Sequence, residues 1–183
     1  MNAVKAFAVA SGLLVAAPMA QAATLTFDST ADCTTADVTI TQGDANSSCV
    51  LSVYNGSSAL LGTGGVSQSY WTATFTSLMG SVAITLGDLG IDQDVIFLTV
   101  YDEFDQVLSA QSLDIGFSSV PSTLSFLAGG NLIKSVSFGS SGVLGGIFAD
   151  NLTFAPAPVP LPASSALLLL GLASLSVLRR RRG

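Results

Sequence analysis

Short runs in which apolar and polar residues alternate dominate the middle of the chain. In residues 82–86, for example, Val82, Ile84 and Leu86 are separated by Ala83 and Thr85. A period of two is typical of a β-strand with one buried face. Between residues 23 and 154 no segment keeps the 3.6-residue period of a helix. The runs that we predict as strands are 25–27, 38–41, 49–54, 70–75, 82–86, 95–101, 107–113, 123–127, 133–138 and 147–154.

Turn residues separate these runs and predict the architecture. Residues 102–105, with the sequence Asp-Glu-Phe-Asp, join two runs as a tight hairpin turn, since Asp side chains bond readily to local backbone. The Gly- and Ser-rich segments 62–65 and 139–142 are predicted loops. Many short strands with turns between them predict an all-β domain, a two-layer antiparallel β-sandwich.

The sequence also predicts a sandwich subtype. Residues 100–102 with the turn that follows, and residues 148–154 as a last strand, resemble the jelly-roll domains of carbohydrate-binding modules. This resemblance implies a jelly-roll-like sandwich, and an Ig-like sandwich is the alternative.

The first 22 residues are typical of a secretory signal peptide. Lys5 gives a positive start, residues 6–17 are apolar, Pro18 breaks the helix, and Ala20 and Ala22 form an A-x-A cleavage site. We therefore expect signal peptidase and the export machinery to act on this chain, and the mature domain to occupy residues 23–154.

The other end combines a proline-rich linker, an apolar segment and a basic stop. Residues 155–162 alternate Pro with small or apolar residues, and residues 163–178 carry no charge. A transmembrane helix needs about 17–25 apolar residues, so this segment is a marginal span that suits a transient anchor. Residues 179–183 contain four arginines, Arg179, Arg180, Arg181 and Arg182, which favour a cytoplasmic end and place the domain on the opposite side.

This tail resembles the VPLPA variant of the PEP-CTERM sorting signals of Gram-negative bacteria. The matching motif is Val159, Pro160, Leu161, Pro162 and Ala163, and the Leu-rich run and the arginines follow it in the expected order. The resemblance implies an exosortase-type transpeptidase as partner and cleavage near the prolines. It also implies passage through the inner membrane to the cell surface or the extracellular matrix, where such proteins are commonly linked to exopolysaccharide. A plain tail anchor is the alternative.

Charge and cysteine content narrow the function classes. Twelve acidic residues and one basic residue, Lys134, lie between residues 23 and 154, so the predicted domain has a net charge of −11. Such a surface repels phosphate backbones and argues against nucleic-acid binding. Cys33 and Cys49 are the only cysteines, and in an exported domain they predict one disulfide.

The chain contains few side chains of the kinds that act in catalysis. The chain has no histidine, which excludes Ser-His-Asp and Cys-His catalysis and His-ligated metal sites. A glycosidase-type carboxylate pair would have to use Glu103, the only glutamate, with Asp102 or Asp105 in the same turn. Clustered acids of this kind are usually a solvated turn, so we predict a protein that is not an enzyme.

Calcium is the one cofactor that the acidic residues suggest. Asp88, Asp92 and Asp94 fall within seven residues, and hard oxygen ligands at this density suit Ca²⁺. Asp150, alone or with Asp28, is a second candidate, because some of the jelly-roll modules that the chain resembles hold calcium near the first and last strands. The alternative is that these are solubilising loop carboxylates.

A sugar site would require an exposed aromatic side chain. Trp71 is in phase with Ala73 and Phe75, which predicts that it is buried, whereas the adjacent Tyr70 should face solvent. Tyr70 is therefore the candidate ligand residue.

Together these features predict an exported, non-enzymatic protein with a structural or adhesive role in the envelope or matrix. A carbohydrate-binding module, with or without calcium, is the alternative, and a carboxylate hydrolase is a third.

Overall fold

The computed structural model describes residues 21–43, 49, 51–54, 57–61, 69–88, 93–116, 120–130, 132–141 and 146–157. These ranges contain one 3₁₀ turn, Thr30–Cys33, and eleven strands. No helix of the described ranges is long and apolar enough to cross a membrane. The strands are β1 (Ala23–Leu25), β2 (Val38–Gln42), β3 (Leu51–Tyr54), β4 (Ser57–Leu61), β5 (Ser69–Met79), β6 (Ser81–Asp88), β7 (Asp94–Tyr101), β8 (Val107–Gly116), β9 (Ser122–Leu127), β10 (Ile133–Ser140) and β11 (Ile147–Ala155).

The strands form two antiparallel sheets that pack face to face. The first has the order β3-β4-β11-β6-β9, and β1 pairs with β11 beside it. The second has the order β2-β5-β10-β7-β8. The predicted two-layer antiparallel β-sandwich is therefore confirmed.

The core lies between the sheets because each strand buries alternate residues. β7 alternates strictly between buried and half-buried positions from Asp94 to Tyr101. Trp71 stacks on Phe138 with 5.9 Å between ring centroids, and Phe75 meets Phe154 at 5.0 Å. Burying one large apolar side chain contributes about 1.5–3 kcal/mol, so these rings are a main source of stability.

Several details differ from the sequence prediction. β4 was not predicted, because Ser-Ser-Ala-Leu-Leu has no clear alternation. Phe27 was assigned to the first strand, but it follows β1 with a positive φ of 52°, and its buried ring turns into the core. The loop predicted for residues 139–142 is wrong in its first half, since Gly139 and Ser140 are paired within β10.

The predicted disulfide and hairpin are both confirmed. Cys33 and Cys49 are bonded, with 6.0 Å between their Cα atoms. In the turn between β7 and β8, the Asp102 carboxylate accepts hydrogen bonds from the backbone N–H groups of Phe104 and Gln106, both at 2.8 Å. Asp105 takes the left-handed conformation, with φ 58°, which Asp tolerates better than most residues.

Candidate functional site

Two adjacent residues of β5 differ in burial and identify the outer face of the five-stranded sheet. Trp71 is completely buried, whereas Tyr70 is half-buried on the opposite side of β5. Successive side chains of a strand point to opposite faces, so Tyr70 faces outward. The predicted division between a core Trp71 and an outward Tyr70 is confirmed.

Strand register brings a second aromatic residue beside Tyr70. Tyr70 is paired with Gly139 of β10, and Gly139 is paired with Phe97 of β7. Directly paired residues of antiparallel strands point to the same face, so Tyr70 and Phe97 flank a residue that has no side chain. Neighbouring strands lie about 4.8 Å apart, which separates these two aromatic positions by roughly 10 Å.

A third aromatic residue lies further along β7. Tyr101 is half-buried and has the same parity as Phe97, so it shares the outer face. Four residues of strand separate the two, a distance of about 13 Å. The sequence pattern alone does not identify Phe97 or Tyr101 as site residues. The alternation within β7 could have placed them on one face, but only the register across β10 places them with Tyr70.

Hydroxyl side chains fill the space between the aromatic positions. The Thr72 and Ser137 hydroxyls, on neighbouring strands, are hydrogen-bonded at 3.0 Å. No acidic or basic side chain occurs among the three paired rows that define this surface, which we call the aromatic–hydroxyl face. Its members are Tyr70, Phe97, Tyr101, Thr39, Thr41, Thr72, Thr74, Thr99, Ser112, Ser135 and Ser137, with Gly139, Ala110 and Val107 completing the rows.

Gly43 fixes the position of the Tyr70 ring. The Tyr70 hydroxyl donates to the Gly43 carbonyl at 3.3 Å, and the Gly43 N–H donates to the Tyr70 carbonyl at 2.9 Å. A Cβ atom on Gly43 would lie only 2.0 Å from the ring atom Cζ. Only glycine therefore lets the ring lie against the backbone at the end of β2.

The chemistry of this face suits a flat, uncharged, polyhydroxylated ligand. Aromatic rings offer apolar faces on which the C–H side of a sugar can stack. The Tyr70 hydroxyl donates to Gly43 and can still accept a hydrogen bond from a ligand. Thr and Ser hydroxyls both donate and accept hydrogen bonds, as sugar hydroxyls do. Rings set about 10–13 Å apart can contact different units of one oligosaccharide.

The structure describes only two of the three acidic residues that the sequence predicts as a calcium site. Asp88 ends β6, Asp94 begins β7, and both are completely buried, so the alternative of solubilising loop carboxylates is wrong for these two. Their parity directs them between the sheets, where Asp94 Oδ1 accepts a 3.0 Å hydrogen bond from the buried Ser140 hydroxyl. Asp92 lies outside the described residues.

The domain has little positive charge with which to balance these carboxylates. Lys134 is the only basic residue between residues 23 and 154, and its Nζ donates to the Phe75 carbonyl at 2.7 Å. Across the described ranges no group of three or more His, Cys, Asp or Glu side chains is placed to hold a metal ion. Calcium at this position stays a prediction of the sequence.

The second calcium candidate, Asp150 with Asp28, lies on the other sheet. Burial raises the pKa of the Asp150 carboxyl above its ordinary value, a hydrogen bond from the Asn151 N–H lowers the pKa, and the nearby negative charge of Asp28 raises it. That N–H bond is 2.7 Å long and accompanies a bulge in β11 at which Asn151 has a φ of 54°. The two carboxylates are thus close enough to repel each other.

The carboxylates considered for a hydrolase lie together in one hairpin turn. Asp102 is engaged by two backbone N–H groups of its own turn, and Glu103 and Asp105 are exposed beside it. A glycosidase needs two carboxyl groups about 5–9.5 Å apart on either side of a bound sugar. All three carboxylates instead lie in the single turn between β7 and β8.

The terminal sites predicted from sequence lie largely outside the described residues. These include the cleavage-site residue Ala20, the motif residues 159–163, the uncharged segment 163–178 and the four arginines. They stay predictions. Ala22 is described and exposed, immediately before β1.

Comparison with known proteins shows the fold. Neither a protein-family model nor a curated protein matches the chain. Among solved structures, a family 29 carbohydrate-binding module is similar at 15% identity and a TM-score of 0.51, covering 74% of this chain and 88% of that one. A CBM29-2 variant complexed with cellulohexaose is similar at 15% identity and a TM-score of 0.51, over 75% of this chain and 92% of that one. At this identity the likeness shows a shared sandwich fold and nothing finer.

Proposed function

We propose that this protein is an exported, non-enzymatic carbohydrate-binding domain that uses the aromatic–hydroxyl face. The observation that carries the proposal is the register Tyr70–Gly139–Phe97, which spaces two aromatic residues across a field of hydroxyls. The similar sandwich fold of carbohydrate-binding modules, one of them complexed with mannohexaose, supports it. A structural or adhesive role in the matrix follows if the sugar is a matrix polysaccharide.

The net charge of the domain determines which classes of polysaccharide it can bind. The net charge of −11 between residues 23 and 154 repels uronate-rich and sulfated chains. The aromatic–hydroxyl face itself contains no cation that would offset this repulsion. The ligand class that fits is a neutral polysaccharide.

Glycan binding by the domain and its variants tests the proposal. We expect Tyr70→Ala or Phe97→Ala to weaken binding of a neutral oligosaccharide at least about tenfold, which corresponds to ~1.4 kcal/mol. Phe104→Ala is the matched control, because Phe104 is an aromatic residue that is 73% exposed in the turn after Tyr101, outside the paired rows of this face. An array of neutral and acidic glycans followed by titration calorimetry gives the affinities. Binding that survives both face variants, or binding restricted to acidic glycans, contradicts the proposal.

For the tail we propose a sorting signal that an exosortase-type transpeptidase cleaves near Pro160 and Pro162. The support is the order of motif, apolar segment and arginines in the sequence. In a Gram-negative host that carries the enzyme, mass spectrometry of the mature chain should find Arg179–Arg182 removed. Replacing both prolines with alanine should leave the tail intact. A wild-type chain that keeps its arginines at the surface points instead to a plain tail anchor.

A further inference from the structure

Several exposed apolar side chains lie at one end of the sandwich. Leu127, at the end of β9, is 78% exposed, and Leu132, at the start of β10, is 48% exposed. Phe104, at the tip of the β7–β8 hairpin, is 73% exposed. The register places the β5–β6 turn, the β7–β8 hairpin and the β9–β10 connection at this same end, because Leu127 is paired with Ser81, Ile133 with Met79, and Ser135 with Tyr101.

The chain leaves the domain at this end. The Gly80 N–H donates to the Ala155 carbonyl at 2.8 Å, and the Ala128 N–H donates to the Gly80 carbonyl at 2.8 Å. The backbone of Ala157 lies so close that a Cβ atom on Gly80 would be 2.6 Å from its Cα. The exit of the chain is therefore adjacent to the loop that bears Leu127 and Leu132. We call this part of the molecule the exit end.

The length of the following segment limits how far the exit end can move from the apolar tail. Five residues separate Ala157 from Ala163, where the uncharged segment 163–178 begins. Even fully extended, at about 3.3–3.6 Å per residue, they span only about 20 Å. Whenever that segment is held in a bilayer, the exit end stays within this distance of the lipid surface.

We propose that the exit end is a membrane-contact surface, and that Leu127 and Leu132, with Phe104 at its margin, rest in the interfacial layer of the bilayer while the tail is retained. Contact with lipid removes apolar surface from water, which is favourable. The domain then sits on the membrane with its exit end down, and the aromatic–hydroxyl face is oriented along the side of the molecule. The proposal rests on the predicted tail and is independent of sugar binding.

Charge indicates which lipid surface is contacted. Glu103 and Asp105 flank Phe104 and are exposed, so the hairpin tip is acidic. Acidic side chains are repelled by anionic headgroups, whose surface potential attracts basic segments instead. A zwitterionic surface is therefore the expected partner, and added phosphatidylserine should weaken the contact.

Site-specific fluorescence in vesicles tests the proposal. The full chain, with its disulfide intact, is reconstituted into phosphatidylcholine vesicles that contain a lipid with a nitroxide near its headgroup. An environment-sensitive fluorophore is attached at Leu127→Cys or, as a control, at Val120→Cys. Val120 is 69% exposed between β8 and β9, at the opposite end of the sandwich. We expect the label at residue 127 to be quenched several-fold more strongly than the label at residue 120, and less so with phosphatidylserine present.

Three outcomes would overturn the proposal, each for a different reason. Equal quenching at both positions would show that the exit end does not face the lipid. Protection of the residue 127 label that grows with the protein-to-lipid ratio, without nitroxide quenching, would show that a second copy covers the surface. A full chain that does not float with vesicles would remove the tether. Glycan binding measured in the same preparation tests the proposed function separately.

Discussion

Replacing Trp71 with alanine is expected to lower the free energy of unfolding of the sandwich by about 3–5 kcal/mol. Trp71 is completely buried, stacks on Phe138 and lies near the middle of the five-stranded sheet. The substitution removes the stabilisation that comes from burying the indole. It also leaves a cavity that the rigid neighbouring strands cannot close. Since the free energy of unfolding of a small domain is about 5–15 kcal/mol, this loss is a large share of the total.

Two further variants separate the causes of this loss. Within the described part of the chain, the buried Trp71 Nε1 has no hydrogen-bond partner, and neither has Oε1 of Gln42, the residue paired with Trp71 across β2 and β5. An unsatisfied buried polar group costs about 1–3 kcal/mol. Trp71→Phe removes this donor and keeps one ring, so we expect it to cost much less than Trp71→Ala.

Tyr70→Ala is the neighbouring control. It removes an outward ring and a 3.3 Å hydrogen bond to Gly43, so we expect a loss of only about 1 kcal/mol. Urea unfolding followed by circular dichroism measures all three variants. Equal losses for Trp71→Ala and Tyr70→Ala would contradict the division of this strand into a core face and an outward face.

Most of the fold could be predicted from the alternation of residues, and the exceptions have physical reasons. Strands such as β6 and β7 show their buried face in the sequence because every second residue is large and apolar. β4 is stabilised by pairing with β3 and β11, a long-range effect that short apolar runs do not show. Gly139 and Ser140 have the composition of a turn, but pairing with strands on both sides keeps them in the sheet.

The site was only partly predictable, because it depends on register. Tyr70 could be found from its own strand. Phe97 could not, because β7 carries apolar residues at both parities, and nothing in its own sequence places it two strands from Tyr70. Gly139 is the residue that links them, and its importance is visible only in the paired strands.

The buried carboxylates are the opposite case. Their positions in the alternating pattern predict burial, although their residue type does not. Asp88 continues the parity of Ile84 and Leu86, and Asp94 has the parity of Ile96 and Leu98. Extending each alternation by one step predicts inward carboxylates. Both interpretations from the sequence, a calcium site or solubilising loop carboxylates, instead treat these residues as accessible, because Asp is rarely buried completely.

Loss of the Cys33–Cys49 disulfide is the second large effect that we expect. The bond links cysteines 16 positions apart, and closing a loop of this size stabilises the folded state by about 3 kcal/mol in the chain-entropy model. The loop contains β2, the edge strand that carries Gln42 and leads to Gly43. For a domain of this size, such a loss lowers Tm by roughly 10 °C.

A matched variant shows whether the disulfide itself causes the change. Cys33→Ala with Cys49→Ala should have a lowered Tm that added reductant does not change, whereas reductant should lower the Tm of the wild type to a similar value. A wild-type Tm that is insensitive to reductant under conditions where free thiols are detected would contradict the prediction. Because Gly43 seats the Tyr70 ring at the end of β2, the reduced protein below its Tm should still bind sugar if the bond acts mainly on the unfolded chain. If binding falls while the fold is retained, the bond also holds the edge of the aromatic–hydroxyl face in place, and export to an oxidising compartment becomes a requirement for function as well as for stability.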